Sequence, residues 1–458
     1  MNNPNGDPQP TTPAPNPQGE PTTPVYPAPP PAQPMPYQQA PPPPPSPPFG
    51  DSASPTPPRR EIGRQTLITG AILAVALISA ATLLAFTGQL GDFFSIGIVF
   101  LPLAALAAFA WGGTKNTVSA VFAYIMLAIV ILGLFVNSLT YVVLGFVRDS
   151  ARFNQLLSRP GALDPDTLGE IFEPGVGAGL LIGLLLLFLA ILLSAAMLLK
   201  PVRVAISRIV PIDPHNFVHK IALSVLTMIL LSSFIPLIVL GGRPPLLKLV
   251  SDIGDTGTNV TGSDSDATSA LSTGPEDLIY QFVWTIPVAL IAAGWPIARR
   301  IRPTLERLGF VRPTLAQVGF GIGFGVVLAF AAIYLIDPGI TWLWRTLGWP
   351  TTDVAAFEKL LANLITPLGA ILIGVTAGVG EEMAVRGLLQ PRIGLIASNL
   401  VFTGLHAFQY GPDGLLSVFI IGLILGIIRA RTNTTTSAIV HGIYDFVLVM
   451  WTVILAGQ

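Results

Sequence analysis

Residues 366–410 read TPLGAILIGVTAGVGEEMAVRGLLQPRIGLIASNLVFTGLHAFQY, and this stretch decides the fold class. It contains two apolar segments, 366–391 and 395–410, of which the first is long enough to cross a bilayer as a helix and the second nearly so. Backbone polar groups in lipid must be paired within the chain, so such segments are helices rather than strands. Glutamates, an arginine and a histidine interrupt them, and such residues within a membrane usually face a cavity or a partner.

The whole chain has the composition of a membrane protein. Of its 458 residues, 51% are hydrophobic and 11% are charged, with a mean hydropathy of +0.67. A soluble domain carries about 25% charged residues, so an ordinary soluble enzyme is excluded. The 24 Lys+Arg balance 25 Asp+Glu, which excludes a nucleic-acid binder. Because the chain has no cysteine, a disulfide framework, a cysteine nucleophile and thiolate zinc sites are also excluded.

The hydropathy pattern predicts an all-α fold, a polytopic membrane helix bundle of about eleven transmembrane helices. The alternation typical of a membrane β-barrel is absent. The predicted spans are 67–86, 94–111, 118–140, 175–199, 218–240, 279–298, 315–336, 366–391, 395–410, 413–430 and 434–456.

The distribution of basic residues predicts the orientation in the cell membrane. With the N-terminus in the cytoplasm, 17 of the 24 Lys+Arg fall on the cytoplasmic side and 7 outside, as the positive-inside rule requires. The predicted outer loops 149–173 and 252–277 are acidic.

Four segments follow from this pattern. Residues 1–62 are a cytoplasmic tail, and 24 of the chain's 44 prolines lie before residue 61. Such a composition predicts disorder with local polyproline II structure. The tail is either a ligand for a proline-recognising partner or an extension with no specific partner. Residues 63–240 form the N-terminal transmembrane helices, 241–278 an acidic extracytoplasmic loop, and 279–458 the segment that carries the chemistry.

Ionisable residues within the predicted spans are concentrated in that last segment. At about 1.5 Å per residue, Glu381, His406 and His441 lie about 16, 18 and 12 Å from the cytoplasmic ends of their helices. Three helices therefore bring a carboxylate and two imidazoles to a similar depth. The sequence thus predicts a polar cavity that opens to the cytoplasm.

Helix spacing separates the roles of the two glutamates. Glu382 and Arg386 are four residues apart and can pair on one helix face. Glu381 points about 100° away from its neighbour and is free for the cavity. His441 and Asp445 share a face by the same spacing, as do Phe402 and His406.

Three motifs on successive late helices carry a resemblance to a known family. Glu381-Glu382-Met-Ala-Val-Arg386 resembles an EExxxR motif, Phe402-Thr-Gly-Leu-His406 resembles FxxxH, and His441-Gly-Ile-Tyr-Asp445 resembles HxxxN/D. In this order they are similar to the CAAX prenyl endopeptidase and bacteriocin-processing (CPBP, or ABI-type) intramembrane proteases. The resemblance covers roughly residues 279–458.

This resemblance implies an intramembrane endopeptidase that cleaves membrane-associated or prenylated C-terminal peptides. Glu381 and His406 would hold and activate the attacking water, and His441 with residue 445 would stabilise the oxyanion. Glu382, Arg386 and Phe402 would support the motifs. The chain departs from the asparagine version of the last motif, and an ionised Asp445 has no hydrogen to donate to an oxyanion. Asp445 would instead orient His441, as carboxylates behind an active-site histidine do.

Three further questions stay open at the level of sequence. No cofactor is required for a water activated by glutamate and histidine, but Glu381, His406 and His441 could also supply the three protein ligands of a catalytic zinc. A non-catalytic membrane adaptor or immunity protein of the same fold is the alternative function. A proton-coupled transporter is a third hypothesis, which the absence of two similar halves weakens.

Overall fold

The computed structural model describes residues 88–148, 169, 171–255 and 274–456, and in these ranges every regular element is a helix. The all-α prediction is therefore confirmed for the described part of the chain. The predicted tail 1–62, the predicted helix 67–86 and most of the two acidic loops lie outside the described residues.

The helices are numbered in chain order. The first six are α1 Gln89–Gly113, α2 Thr117–Leu144, α3 Val176–Ala196, α4 Lys200–Ile206, α5 Phe217–Val239 and α6 Pro245–Asp255. The next five are α7 Pro275–Ala292, α8 Ile301–Leu308, α9 Leu315–Ala331, α10 Asp337–Thr346 and α11 Val354–Leu360. The last four are α12 Pro367–Val375, α13 Gln390–Leu405, α14 Pro412–Arg431 and α15 Thr434–Ala456. Three π-helical segments are π1 Ala332–Ile336, π2 Thr376–Glu381 and π3 Met383–Leu389.

Within the described ranges, eight helical stretches are long and apolar enough to cross a membrane. The predicted count of eleven is not confirmed, for three reasons. One predicted span is not described, and α7, which has Glu276 and Asp277 in its first turn, is not among the eight. The predicted spans 366–391 and 395–410 form one of the eight, a 39-residue stretch from Pro367 to Leu405.

That stretch is nevertheless two helices, because the chain turns back at Gly394. This residue has φ 82° and ψ 172°, a backbone conformation that only glycine adopts without strain. Arg386 lies eight residues before it and Phe402 eight after, yet the guanidinium carbon is 4.4 Å from the centre of the phenyl ring. In a continuous helix these residues would be about 24 Å apart. The prediction of two helices separated near residue 394 is thus confirmed.

Glycines allow the late helices to pack closely. A Cβ atom at Gly321 would lie 2.6 Å from the side chain of Ile439, and one at Gly325 would lie 2.8 Å from the carbonyl oxygen of Val440. Small residues of this kind bring membrane helices together at short range. Residues of α9, π1, α14 and α15 then form an apolar cluster, which comprises Leu328, Ala332, Ile421, Leu425, Ile428 and Val440.

Candidate active site

The EExxxR motif lies on π-helical rather than α-helical turns. Glu381 ends π2, Glu382 follows it, and Arg386 lies within π3. A π-helix closes its hydrogen bonds between residues i and i+5, and such turns are frequent at functional sites. The 100° rotation expected between the two glutamates is that of a regular α-helix, and the turn in the structure is wider.

The helix formed by α12, π2 and π3 packs against α15 through glycines that lie on both helices. A Cβ atom at Gly374 would lie 2.6 Å from the carbonyl oxygen of Gly442, and one at Gly378 would lie 2.9 Å from the Cα atom of Gly442. Either added methyl group would force the two backbones apart. The close approach places Glu382 directly against the side of α15 that carries His441.

Glu382 is the most enclosed charged residue of the site, with no exposed side-chain area. Its Oε1 lies 3.5 Å from Arg386 Nε and 3.1 Å from His441 Nδ1, and its Oε2 accepts a 2.6 Å hydrogen bond from Ser437 Oγ. A buried carboxylate requires such partners to offset its lost hydration. The predicted pairing of Glu382 with Arg386 is confirmed, whereas its contact with His441 was not predicted.

Arg386 connects three helices. Its guanidinium is 1% exposed, donates a 3.0 Å hydrogen bond to the carbonyl oxygen of Gly422 on α14, and lies over the ring of Phe402 on α13. One turn later, Gln390 donates in the same way to the carbonyl oxygen of Gly426 at 2.8 Å. Glycines at these α14 positions let the long polar side chains reach the backbone. Support of the motif by Arg386 and Phe402 stays a prediction.

His406 has a defined tautomer in this setting. Its Nδ1 lies 2.9 Å from the carbonyl oxygen of Phe402, and a carbonyl only accepts hydrogen bonds, so Nδ1 carries the hydrogen. The neutral imidazole then keeps a lone pair on Nε2. The half-buried ring packs edge-on against Phe402, with centroids 4.7 Å apart. Nε2 is therefore the ring nitrogen of His406 that is left for a ligand.

His441 lies between two carboxylates. Besides the contact of Nδ1 with Glu382, its Nε2 is 3.4 Å from Asp445 Oδ2. The predicted proximity of His441 and Asp445 on one helix face is thus confirmed. The ring centre of Phe402 is 6.2 Å from that of His441, which joins the second motif to the third.

Glu381 differs from Glu382 in its surroundings. It is half-buried, and among the described residues no hydrogen-bond or ion-pair partner contacts its carboxylate. It nevertheless lies close enough to His441, Asp445 and Tyr410 for their charges to interact. The site thus combines one fully partnered carboxylate with one whose oxygens are free to receive a ligand.

The donor atoms do not fit a zinc site made from Glu381, His406 and His441. Both ring nitrogens of His441 face carboxylates, so neither offers a lone pair toward a shared metal position. Among the described residues, no group of three His, Asp or Glu side chains is arranged to hold a metal ion.

Ser437 and the glycines of the site, Gly374, Gly378 and Gly442, were not predicted from the sequence. Ser437 Oγ also lies 3.0 Å from the carbonyl oxygen of Leu425, so its hydroxyl lies between the carboxylate and α14. Its spacing was an available signal, because it precedes His441 by four residues and therefore shares its helix face.

The comparison with protein families agrees with the motif pattern. Residues 363–447 match the family described as type II CAAX prenyl endopeptidase Rce1-like, which confirms the predicted resemblance over that segment. The match includes all three motifs and is narrower than the predicted 279–458. No curated protein and no solved structure matches the chain. The family match and the apolar helices together identify a multi-pass membrane protein.

Proposed function

We propose that this protein is a CAAX-type intramembrane endopeptidase. The observation that supports the proposal is that the two adjacent glutamates differ in their partners. His406 adds a ring whose Nδ1 faces a carbonyl oxygen. The carboxylate of Glu382 contacts Ser437 and His441, whereas Glu381 and the Nε2 atom of His406 have no partner among the described residues. The match of residues 363–447 to the CAAX prenyl endopeptidase family supports the same activity.

In the proposed reaction a water molecule binds between Glu381 and His406. Glu381 accepts a proton from this water as its oxygen attacks the carbonyl carbon of the scissile peptide bond. The oxygen of that carbonyl becomes an oxyanion in the tetrahedral intermediate. When the C–N bond breaks, the proton passes from Glu381 to the leaving nitrogen, so that a carboxylic acid and an amine are released.

We assign stabilisation of the developing negative charge to His441. A ring N–H of His441 would offset that charge as the oxyanion forms. Asp445 holds the ring from one side and Glu382 from the other. Asp445 is thus a positioning residue in this proposal.

The substrate that we propose is a membrane-associated or prenylated C-terminal peptide that enters from the cytoplasm. The site is built from membrane helices, which suits a substrate already held in the bilayer. The orientation with the N-terminus in the cytoplasm rests on the distribution of basic residues. No step of the reaction is assigned to a metal or another cofactor.

The test compares membrane peptides in cells that carry the native protein, Glu381→Gln or Glu306→Gln. Glu306 is an exposed residue outside the site, so its variant is a matched control. We expect a set of peptides to lose its cleaved form in Glu381→Gln only. Identical peptides in all three strains, together with normal amounts of protein in the membrane, would instead support the non-catalytic adaptor.

A further inference from the structure

A cavity lies away from the candidate active site. It has a volume of about 550 Å³ and is enclosed by α1, α5, α7, α8 and the junction of π3 with α13. Its body is apolar, and it is lined among others by Leu103, Ala107, Leu226, Ile229 and Val288. Glu381, His406 and His441 are not among its lining residues. Its volume is that of a site for a small molecule or a lipid chain.

Three half-buried arginines, Arg299, Arg307 and Arg392, line the same cavity. Among the described residues none of them forms an ion pair with a carboxylate, and the charges of Arg299 and Arg392 are close enough to repel each other. One carboxylate lines the cavity, that of Asp213, and it accepts a hydrogen bond from the backbone of His215. The polar end of the cavity therefore has an excess of positive charge.

This polar end lies where several helices end or begin. Trp111 is near the end of α1 and Asn216 caps the start of α5, and the guanidinium of Arg299 lies 5.0 Å from the indole ring. Ile229 is thirteen residues beyond Asn216, which corresponds to about 20 Å along the helix. The cavity thus runs from a membrane interface, at its arginines, toward the middle of the bilayer, at its apolar end.

We propose that this cavity binds an anionic phospholipid, with the phosphate group between the arginines and one acyl chain in the apolar body. Basic pockets between transmembrane helices at the cytoplasmic face suit anionic head groups. The basic residues place this end of the cavity on the cytoplasmic side, where anionic lipids are found.

Such a lipid contacts the helix that carries the first motif. Gly387, the residue directly after Arg386, lines the cavity, as do Leu388, Leu389 and Arg392. Bound lipid therefore fills the space behind π3 and stabilises the position of Arg386. The phospholipid is then a structural ligand of the site helix rather than a substrate.

The test measures binding of dioleoyl phosphatidylglycerol to the purified full-length protein by native mass spectrometry and by its melting temperature. Phosphatidylcholine with the same chains and free glycerol phosphate are the comparison ligands. We expect phosphatidylglycerol alone to bind and to raise the melting temperature. An equal response to phosphatidylcholine would refute recognition of the anionic head group, and an equal response to glycerol phosphate would refute the role of the acyl chain.

The double variant Arg299→Gln/Arg392→Gln then locates the site. Loss of two arginine–phosphate interactions should weaken phosphatidylglycerol binding roughly 10- to 30-fold. Arg302→Gln is the matched control, because Arg302 is exposed, pairs with Glu306 and does not line the cavity. Ala107→Phe, which narrows the apolar body, should also weaken binding. If the double variant binds as tightly as the control, the lipid lies elsewhere and the proposal is wrong.

Discussion

Replacement of Glu382 by glutamine tests the central contact of the candidate site. The change removes the negative charge that lies 3.5 Å from Arg386 Nε and 3.1 Å from His441 Nδ1, at a position with no exposed side-chain area. Removal of one partner of a buried ion pair typically costs about 3–5 kcal/mol, because the other charge stays buried without compensation. At roughly 2–4 °C per kcal/mol for a domain of 150–250 residues, this loss predicts a fall in melting temperature of roughly 6–20 °C.

The same variant should also lose peptide cleavage, because His441 loses the carboxylate that holds it. Glu381→Gln should behave differently, with cleavage lost and the melting temperature close to that of the native protein. Glu306→Gln is the control for the substitution itself, since Glu306 is 54% exposed and its pair with Arg302 contributes about 1 kcal/mol at most.

The assay is a melting curve beside peptide cleavage on the three purified variants in the same detergent. If Glu382→Gln melts within about a degree of the control, the buried carboxylate does not hold the helices together, and the assigned roles of the two glutamates are wrong.

Three further results are expected. Ser437→Ala should cost about 1–3 kcal/mol, because it leaves a buried carboxylate oxygen without its donor, and it should lower both melting temperature and cleavage. Gly378→Ala should lower the free energy of unfolding by a similar amount, because the added methyl group overpacks the contact with α15. Gly323→Ala, where a Cβ meets open space, should be neutral. Equal melting temperatures of the two variants would refute the close helix contact. Single cysteines introduced into 252–277 and 300–314 should react with an impermeant reagent from opposite membrane sides.

Much of the fold could be predicted from the sequence, because the length of an apolar segment and the residues that begin and end a helix are local properties. The bounds of α2, α3, α5, α14 and α15 lie close to the predicted spans for that reason. The division near residue 394 was also accessible, since a glycine follows Arg392 and Ile393 between two apolar segments. The exact number of membrane spans was not, because a helix such as α7, with two acidic residues in its first turn, lies at the limit of what hydropathy distinguishes.

The residues of the candidate site could be predicted from the sequence, but only some of the contacts between them could. The pairing of Glu382 with Arg386 and of His441 with Asp445 follows from i,i+4 spacing alone, and both contacts are present. The contact of Glu382 with His441 depends on how closely two separate helices pack. That distance is set by glycines that contact residues far away in the chain. A single sequence does not show which of these residues meet.

The turn at Gly394 has a consequence for the order in which the site is assembled. Arg386 and Phe402 are only sixteen residues apart, so their contact can form as soon as this helical hairpin has left the ribosome and entered the bilayer. Glu382 and His441 are 59 residues apart, and their contact must wait for α15. Because chains fold from the N-terminal side during synthesis, the carboxylate of Glu382 stays without its histidine until that helix is inserted. The proposed hydrolytic machinery is thus incomplete throughout most of biosynthesis, and a nascent chain halted before α15 would carry two of the three motifs in place and have no activity.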